Sequence, residues 1–177
     1  MKYEIIYGDP PWPNTHTRGT RGADKKFPLM SISDICQVGI KEHTAKNAIL
    51  FLWTPAIFLA ESLQVIESWG FKYKTMGFVW IKTTKAGKPA WGLGSFTRAN
   101  AEFCLIGVKG KPKVQSHSIS QVILEPRSIF GRKPASTRTK IVELMGDLPR
   151  IELFAREKTE GWSVWGNEVK SDVDLRG

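Results

Sequence analysis

The stretch KYEIIYGDPPW, residues 2–12, joins an apolar run to a rigid polar turn. The run is short and rich in isoleucine and tyrosine, which is typical of a buried β-strand. The strand has to end here, because Pro10 and Pro11 have no N–H group with which to continue a ladder of hydrogen bonds. This pattern predicts that Asp9 follows directly on the carboxyl end of a buried strand.

Apolar runs of strand length alternate with segments of helical spacing along the rest of the chain. Strands separated by helices are typical of an α/β fold, here a mostly parallel sheet with helices on both faces. Ligands of such sheets bind beyond the carboxyl ends of the strands, so we expect Asp9 and Arg156, which follow apolar strands, at one edge. Strands are predicted at 2–7, 48–53, 73–82, 101–108, 122–124 and 150–154, helices at 31–40, 57–69 and 134–145, and a packed terminal segment at 162–169.

The chain of 177 residues is long enough for one domain with a substantial core, so residues 1–177 are expected to form a single domain. Lysine and arginine number 26 against 17 acidic residues, which gives a net charge of +9. A positive excess of this size favours a polyanionic partner, because each neutralised phosphate releases counterions. Solubility alone is the alternative explanation of the charge.

Other features of the sequence exclude several classes of protein. The longest apolar run, residues 48–53, is too short to cross a membrane, and the first residues do not form a secretory signal. Cys36 and Cys104 supply neither a disulfide framework nor a zinc site. These features predict a cytoplasmic protein without a metal centre and without a membrane partner.

The motif Asp9-Pro10-Pro11-Trp12 brings together a carboxylate, fixed backbone carbonyls and an aromatic ring. Acceptors held at fixed positions suit an amino group attached to a flat ring, because hydrogen bonds from its hydrogens pull the nitrogen toward tetrahedral geometry. Asp-Pro-Pro alone is also a common turn. Its position directly after a buried strand favours a catalytic function.

Further segments match, in order, those of a known family. They are FPLMSISDI (27–35), AILFLWTP (48–55), WGFKYKTMGFVWIKT (69–83), TRANAEFCLIG (97–107), RKP (132–134), IELFARE (151–157) and GWSVWGNEV (161–169). With the DPPW motif, they make the chain resemble the MT-A70 family of adenine-N6 methyltransferases over nearly its whole length. The compact form is similar to the bacterial and bacteriophage branch of that family.

The resemblance implies a Rossmann-like methyltransferase fold and methyl transfer from S-adenosylmethionine to the N6 amino group of adenine, with S-adenosylhomocysteine as product. DNA is the expected substrate by analogy with the phage-like branch, and RNA is the close alternative. A nonenzymatic nucleic-acid-binding subunit is a second class, but such subunits have lost the Asp-Pro-Pro-aromatic motif that is intact here. A dinucleotide-binding oxidoreductase is not supported, because no G-x-G-x-x-G follows a strand.

Residue roles follow from the same resemblance. Asp9 and the carbonyl of Pro10 would bind the adenine amino group, and Pro11 and Trp12 would shape the pocket. Phe27 and Glu102 match residues next to the target base; a loop anchor and a surface charge are their respective alternatives. The implied cofactor-binding residues are Asp9, Lys133, Phe154, Arg156, Lys158, Asn167 and Glu168.

Two departures from the family pattern bear on the cofactor. Bacterial relatives often carry an acidic residue soon after RKP, whereas Ala135 and Ser136 stand here. Larger relatives hold the adenine of the cofactor with a segment before the first strand, whereas Asp9 is preceded here by eight residues. We therefore expect modest affinity for the cofactor.

Two loops combine cations with aromatic side chains, a composition that suits phosphate contacts and base stacking. Solvated loop charges are the plain alternative. Because N6 is hidden inside a duplex, the substrate has to be single-stranded or its base flipped out. The sequence leaves open whether the chain forms a homodimer. The expected contacts are Arg18, Arg21, Lys25 and Lys26 in the first loop, and Lys82, Lys85, Lys88, Trp91, Phe96 and Arg98 around the second.

Overall fold

The computed structural model describes residues 1–13, 29–92, 94, 96–128 and 131–176. The proposed nucleic-acid contacts of the first loop therefore lie outside the described residues and stay predictions. They are Arg18, Arg21, Lys25, Lys26 and Phe27.

The described residues form one seven-stranded sheet and three α-helices. The strands are β1 Tyr3–Gly8, β2 Thr44–Thr54, β3 Lys72–Thr83, β4 Ala101–Lys109, β5 Val122–Pro126, β6 Arg150–Leu153 and β7 Ser163–Trp165. The helices are α1 Ile32–Cys36, α2 Leu59–Ser68 and α3 Ser136–Met145, with 3-10 turns at Gly39–His43 and Ala56–Phe58. Each predicted strand is present. No described helix has the length and apolar character needed to cross a bilayer.

The strands are ordered β5-β3-β4-β2-β1-β6-β7 in the sheet. β4 runs antiparallel to both of its neighbours, and the other four pairings are parallel. The predicted α/β fold with a mostly parallel sheet is therefore confirmed. The chain crosses from β1 to β2 on one side and pairs β1 with β6 on the other, which creates a crevice at the carboxyl end of β1.

Alternate side chains of the strands fill two separate cores, as the period of two in a strand requires. Ile6 and Leu50 point to the core covered by α1 and α2. Tyr7 and Phe51 point to the opposite core, which is covered by α3. Helices therefore pack on both faces of the sheet, as predicted.

The predicted helix from residue 31 to 40 is shorter in the structure. It begins with a capping box, in which the Ser31 hydroxyl accepts from the Asp34 N–H and the Asp34 carboxylate accepts in return. It ends at Cys36, and the chain continues as the 3-10 turn. The reason is a tertiary contact: the Gly39 N–H donates to the carbonyl of Leu175 at 2.9 Å instead of to an α-helical partner.

Candidate active site

A group of polar and aromatic side chains meets at one end of the sheet, on the face that α3 covers. Asp9 follows β1, Trp53 lies near the carboxyl end of β2, and Lys133 lies just before α3. Glu102 joins them because β4 runs in the opposite direction, so that its first residues reach the edge where the parallel strands end. The predicted site residues Asp9, Glu102 and Lys133 are thus brought together.

Lys133 bridges the two carboxylates. Its Nζ lies 2.8 Å from Asp9 Oδ2 and 3.0 Å from Glu102 Oε2. The same ammonium lies 5.8 Å from the centroid of the Trp53 ring, which is fully buried. The Lys133 side chain is 13% exposed and that of Asp9 is 33% exposed, so the pair is partly desolvated yet still open to a ligand. Glu102 also contacts the ammonium of Lys82.

Burial and neighbouring charges shift the pKa values of this group in different directions. Burial raises the pKa of Asp9, and the nearby Lys133 ammonium limits that rise. Burial also opposes ionisation of Glu102, but Lys133 and Lys82 outweigh it and lower the pKa of that carboxyl. For Lys133, burial favours the neutral amine, but Asp9 and Glu102 outweigh it and raise the pKa. The neighbouring charges therefore favour the ionised forms of Glu102 and Lys133, whereas burial works against the charge on Asp9.

A cavity of about 260 Å³ opens beside Asp9 and Lys133. Several residues that line this cavity were not predicted from the sequence. The missed residues lie in strands or on α3 and carry no motif of their own. Alternation along the strands was the signal that could have placed them on this face. The predicted residues in the wall are Asp9, Lys133, Phe154 and Arg156, and those missed include Tyr7, Trp80, Arg138 and Glu152.

A buried ion pair forms part of that wall. The Arg138 guanidinium donates to both carboxylate oxygens of Glu152, at 2.7 Å each. The Arg138 guanidinium also lies 5.9 Å from the Tyr7 ring. Because Arg138 belongs to α3 and Glu152 to β6, the pair fixes the helix against the sheet next to the cavity.

Phe154 lies at the carboxyl end of β6 in a strained backbone conformation. Its φ of 58° lies in the left-handed region, which costs a residue with a side chain roughly 1 kcal/mol or more. Its ring contacts Trp165 edge-to-face at 5.3 Å and stacks on Trp69 at 6.4 Å. The Ala155 N–H then donates to the Trp165 carbonyl at 2.9 Å. This sharp turn directs the chain past the cavity, so that Phe154 and Arg156 both line it.

The remaining predicted cofactor residues lie farther along the chain. Glu168 accepts from Arg156 Nε at 3.0 Å and so adjoins the cavity. Asn167 lines a second, open cleft of about 600 Å³ next to the C-terminal segment. Lys158 forms an ion pair with Asp172. Neither Asn167 nor Lys158 lines the cavity beside Asp9.

The motif Asp9-Pro10-Pro11-Trp12 is held rigidly by its own contacts. The Trp12 ring is 8% exposed, stacks on Phe58 at 5.6 Å and donates from Nε1 to the Trp53 carbonyl at 3.0 Å. The Pro10 carbonyl accepts from the Trp12 N–H at 2.9 Å, and the Pro11 carbonyl accepts from the Met30 N–H. Trp12 therefore anchors this loop, and its part in shaping a substrate pocket stays a prediction.

The second loop presents its aromatic side chains to solvent. Trp91 and Phe96 are among the most exposed large apolar residues in the described part of the chain. Lys85 and Lys88 are exposed as well. Lys82 differs from this expectation, because its ammonium turns inward to Glu102.

Comparison with known proteins assigns the same region of the chain to one family. The family model MT-A70 matches residues 3–168. The type II methyltransferase M.MunI from Mycoplasma sp is 31% identical over 99% of this chain and 83% of its own. The N6-methyladenosine RNA methyltransferase MTA1 of Cryphonectria parasitica is 29% identical over 94% of this chain and 52% of its own. The human N(6)-adenosine-methyltransferase catalytic subunit METTL3 is 25% identical over 95% of this chain, which spans 28% of METTL3.

Proposed function

Since this chain belongs to the MT-A70 family, we propose that it transfers the methyl group of S-adenosylmethionine to the N6 amino group of adenine in DNA. The observation that carries the proposal is the network of Asp9, Lys133 and Glu102 beside an open cavity at the carboxyl end of β1. This is the edge at which open α/β sheets bind their ligands.

The N6 nitrogen of adenine is a weak nucleophile because its lone pair is delocalised into the ring. The Asp9 carboxylate and the Pro10 carbonyl would accept hydrogen bonds from the two amino hydrogens and draw the nitrogen out of conjugation. The rigid motif holds these acceptors before the base arrives, so little reorganisation is needed in the transition state. N6 must shed a proton as it is methylated, and the raised pKa of Asp9 suits its carboxylate to accept that proton.

The side chains around the cavity fit the proposed cofactor. S-adenosylmethionine, when bound, supplies an electrophilic methyl group on a sulfonium. The Lys133 ammonium would bind the carboxylate at the methionine end. At the other end, the Glu168 carboxylate would accept hydrogen bonds from the ribose hydroxyls, and the Asn167 amide, which lines the second cleft, would donate to them. Phe154, in the wall of the cavity beside Asp9, would pack between the two ends.

DNA is proposed as the substrate by analogy with the compact bacterial and bacteriophage branch of the family, and the lengths of the matches agree with that compact form. The chain covers 83% of the type II methyltransferase, but about half of the fungal RNA methyltransferase and about a quarter of METTL3. RNA is the second candidate because these two relatives are named for methylation of adenosine. A purely nonenzymatic subunit is disfavoured by the intact motif at residues 9–12. The free thiols of Cys36 and Cys104 are in keeping with a cytoplasmic location.

The test is incubation with S-adenosylmethionine labelled in the methyl group and matched single-stranded and double-stranded oligonucleotides of DNA and RNA. The products are digested to nucleosides and separated. We expect label in N6-methyldeoxyadenosine. Label in N6-methyladenosine from RNA alone would replace DNA with RNA as the substrate, and label in neither nucleoside would contradict the proposal.

A further inference from the structure

Lys82 lies at the root of the second loop, where a solvated phosphate contact was expected. Its ammonium instead contacts Glu102 on the neighbouring strand and lies 5.2 Å from the Trp80 ring. The Lys82 side chain is 27% exposed, so most of its surface is covered. This geometry ties Lys82 to the active site.

The Lys82 backbone is fixed from both sides. Its N–H donates to the Asn100 carbonyl at 2.7 Å, and its carbonyl accepts from the Ala90 N–H at 2.7 Å. Glu102 lies opposite Trp80 in the antiparallel pair, which makes Lys82 its diagonal neighbour on the same face of the sheet. The contact is therefore built into the strand register and does not depend on a flexible loop.

The charges around Glu102 are balanced in pairs. Two ammonium groups, those of Lys82 and Lys133, lie against two carboxylates, those of Asp9 and Glu102. Burial opposes ionisation of Glu102, and the two lysines together outweigh it. Without Lys82, the Glu102 carboxylate would lose one of the two cations that hold it in place, and Lys133 would be free to shift toward Asp9 or the cavity.

We propose that Lys82 is a positioning residue of the methyl-transfer site, which holds the Glu102 carboxylate in place so that Glu102 in turn fixes Lys133 beside Asp9. This inference rests on the proposed function, because it assigns to Lys82 a part in that same reaction. Lys82 itself touches neither the target base nor the methyl donor in this proposal; it acts through Glu102.

The main test is a double-mutant cycle on Lys82→Met and Glu102→Gln, read by the single-turnover rate of methylation. We expect Lys82→Met to lower the rate by about tenfold at pH 7, in keeping with the loss of a charged hydrogen bond. In the Glu102→Gln background, the same change should have no further effect, since the residue through which Lys82 acts is already neutral. Lys82→Arg should restore most of the rate, and Lys82→Gln serves as a second neutral variant if Lys82→Met does not fold.

The pH dependence separates positioning from a general structural role. In Lys82→Met, the pKa of Glu102 should rise because one of its two cations is gone. Titration of the Glu102 carboxyl carbon by NMR should show the same upward shift without any turnover. Lys74→Met is the matched control, because Lys74 is an exposed lysine on the same strand, and it should change neither the methylation rate nor this titration.

Three results would overturn the role of Lys82 in an active enzyme. They are an unchanged Glu102 titration, an undiminished effect of Lys82→Met in the Glu102→Gln background, and a smaller salt dependence of DNA binding in Lys82→Met. The last result would assign Lys82 to a phosphate contact. A wild-type chain that methylates neither DNA nor RNA would contradict the proposed function and this role with it.

Discussion

Two opposing effects act on the pKa of Asp9: burial raises it, and the nearby ammonium of Lys133 lowers it. The position of Asp9 is fixed by a motif whose own hydrogen bonds are satisfied within the loop and by Trp53. Substitution of Asp9 should affect activity more than the stability of the fold, because its side chain is one-third exposed and belongs to neither hydrophobic core. Its substitution therefore separates function from folding.

Asp9→Asn keeps the shape of the side chain but removes the charge that, in the proposed reaction, polarises the adenine amino group. We expect the rate of methyl transfer to fall by at least about 100-fold, the size of effect seen when one preorganised electrostatic contact is lost. Circular dichroism and thermal unfolding should match wild type. A variant that keeps a tenth of the wild-type rate would contradict the assigned role of Asp9.

The raised pKa of Asp9 predicts the acid side of the pH profile. In the proposed reaction Asp9 takes up the proton that N6 sheds and therefore has to be ionised, so activity should be present above its pKa in the folded protein and be lost as pH falls through that value. Because burial raises this pKa, the loss should begin at a higher pH than for an ordinary aspartate. Single-turnover rates between pH 4 and 8 would measure it, and a flat profile down to the ordinary pKa would speak against the buried carboxylate.

At the residue scale, motifs led to Asp9, Glu102 and Lys133, which the structure joins within hydrogen-bonding distance. The same reasoning assigned Lys82 to the expected nucleic-acid contacts, because a lysine beside a polar loop gives no sign of a partner on the next strand. Its pairing with Glu102 follows from the register of β3 and β4, which a single sequence does not contain.

At the element scale, α3 is attached to β6 through the ion pair of Arg138 and Glu152, next to its apolar contacts through Ile141 and Met145. Burial raises the pKa of Glu152, and Arg138 opposes that rise. The carboxylate therefore depends on its partner for compensation in a covered position. Loss of one member should be costlier than loss of both.

Arg138→Met leaves Glu152 buried without its cation. We expect the free energy of unfolding at pH 7 to fall by about 3 kcal/mol, and Glu152→Gln added to it to recover part of that loss. Urea denaturation followed by tryptophan fluorescence would measure both. Equal stability of Arg138→Met and wild type would show that the pair does not hold the helix to the sheet.

The elements themselves were mostly evident from apolar spacing, within one or two residues for β1 and β6. The first helix was the exception, since its end depends on Leu175, which lies far away in the chain. The apolar residues of α3 are also buried to different extents: Ile141 and Met145 are buried, whereas Val142 and Leu144 are only half-buried. Spacing locates a helix, but packing decides how wide its buried face is.

At the scale of the whole molecule, the net charge of +9 predicts that nucleic-acid binding weakens steeply as salt is added. Replacement of Lys25 and Lys26 by alanine should weaken DNA binding and reduce the slope of log K against log salt by up to about 2, if each contacts a phosphate. Fluorescence anisotropy at several salt concentrations measures the slope. The control is Lys72→Ala with Lys74→Ala, which removes the same charge at the far end of β3; equal slopes in the two variants would remove Lys25 and Lys26 from the interface.

The sheet as a whole could be predicted as mostly parallel, but the direction of β4 could not. Alternation of apolar residues is the same in a parallel and an antiparallel strand, and the direction follows from the path of the chain. The reversed direction of β4 brings Glu102 to the edge where Asp9 and Lys133 lie. The proposed methyl-transfer site depends on this placement.

The reversal of β4 also means that the connection between Thr83 and Ala101 leaves and returns at the same edge of the sheet, with its base closed by the backbone of Lys82. Because both ends of this connection lie at one edge, a connection of different length or sequence would leave the order and direction of the strands in the sheet unchanged. The nucleic-acid contacts proposed for residues 91–98 could thus vary between related proteins while Asp9, Glu102 and Lys133 keep their places in the sheet.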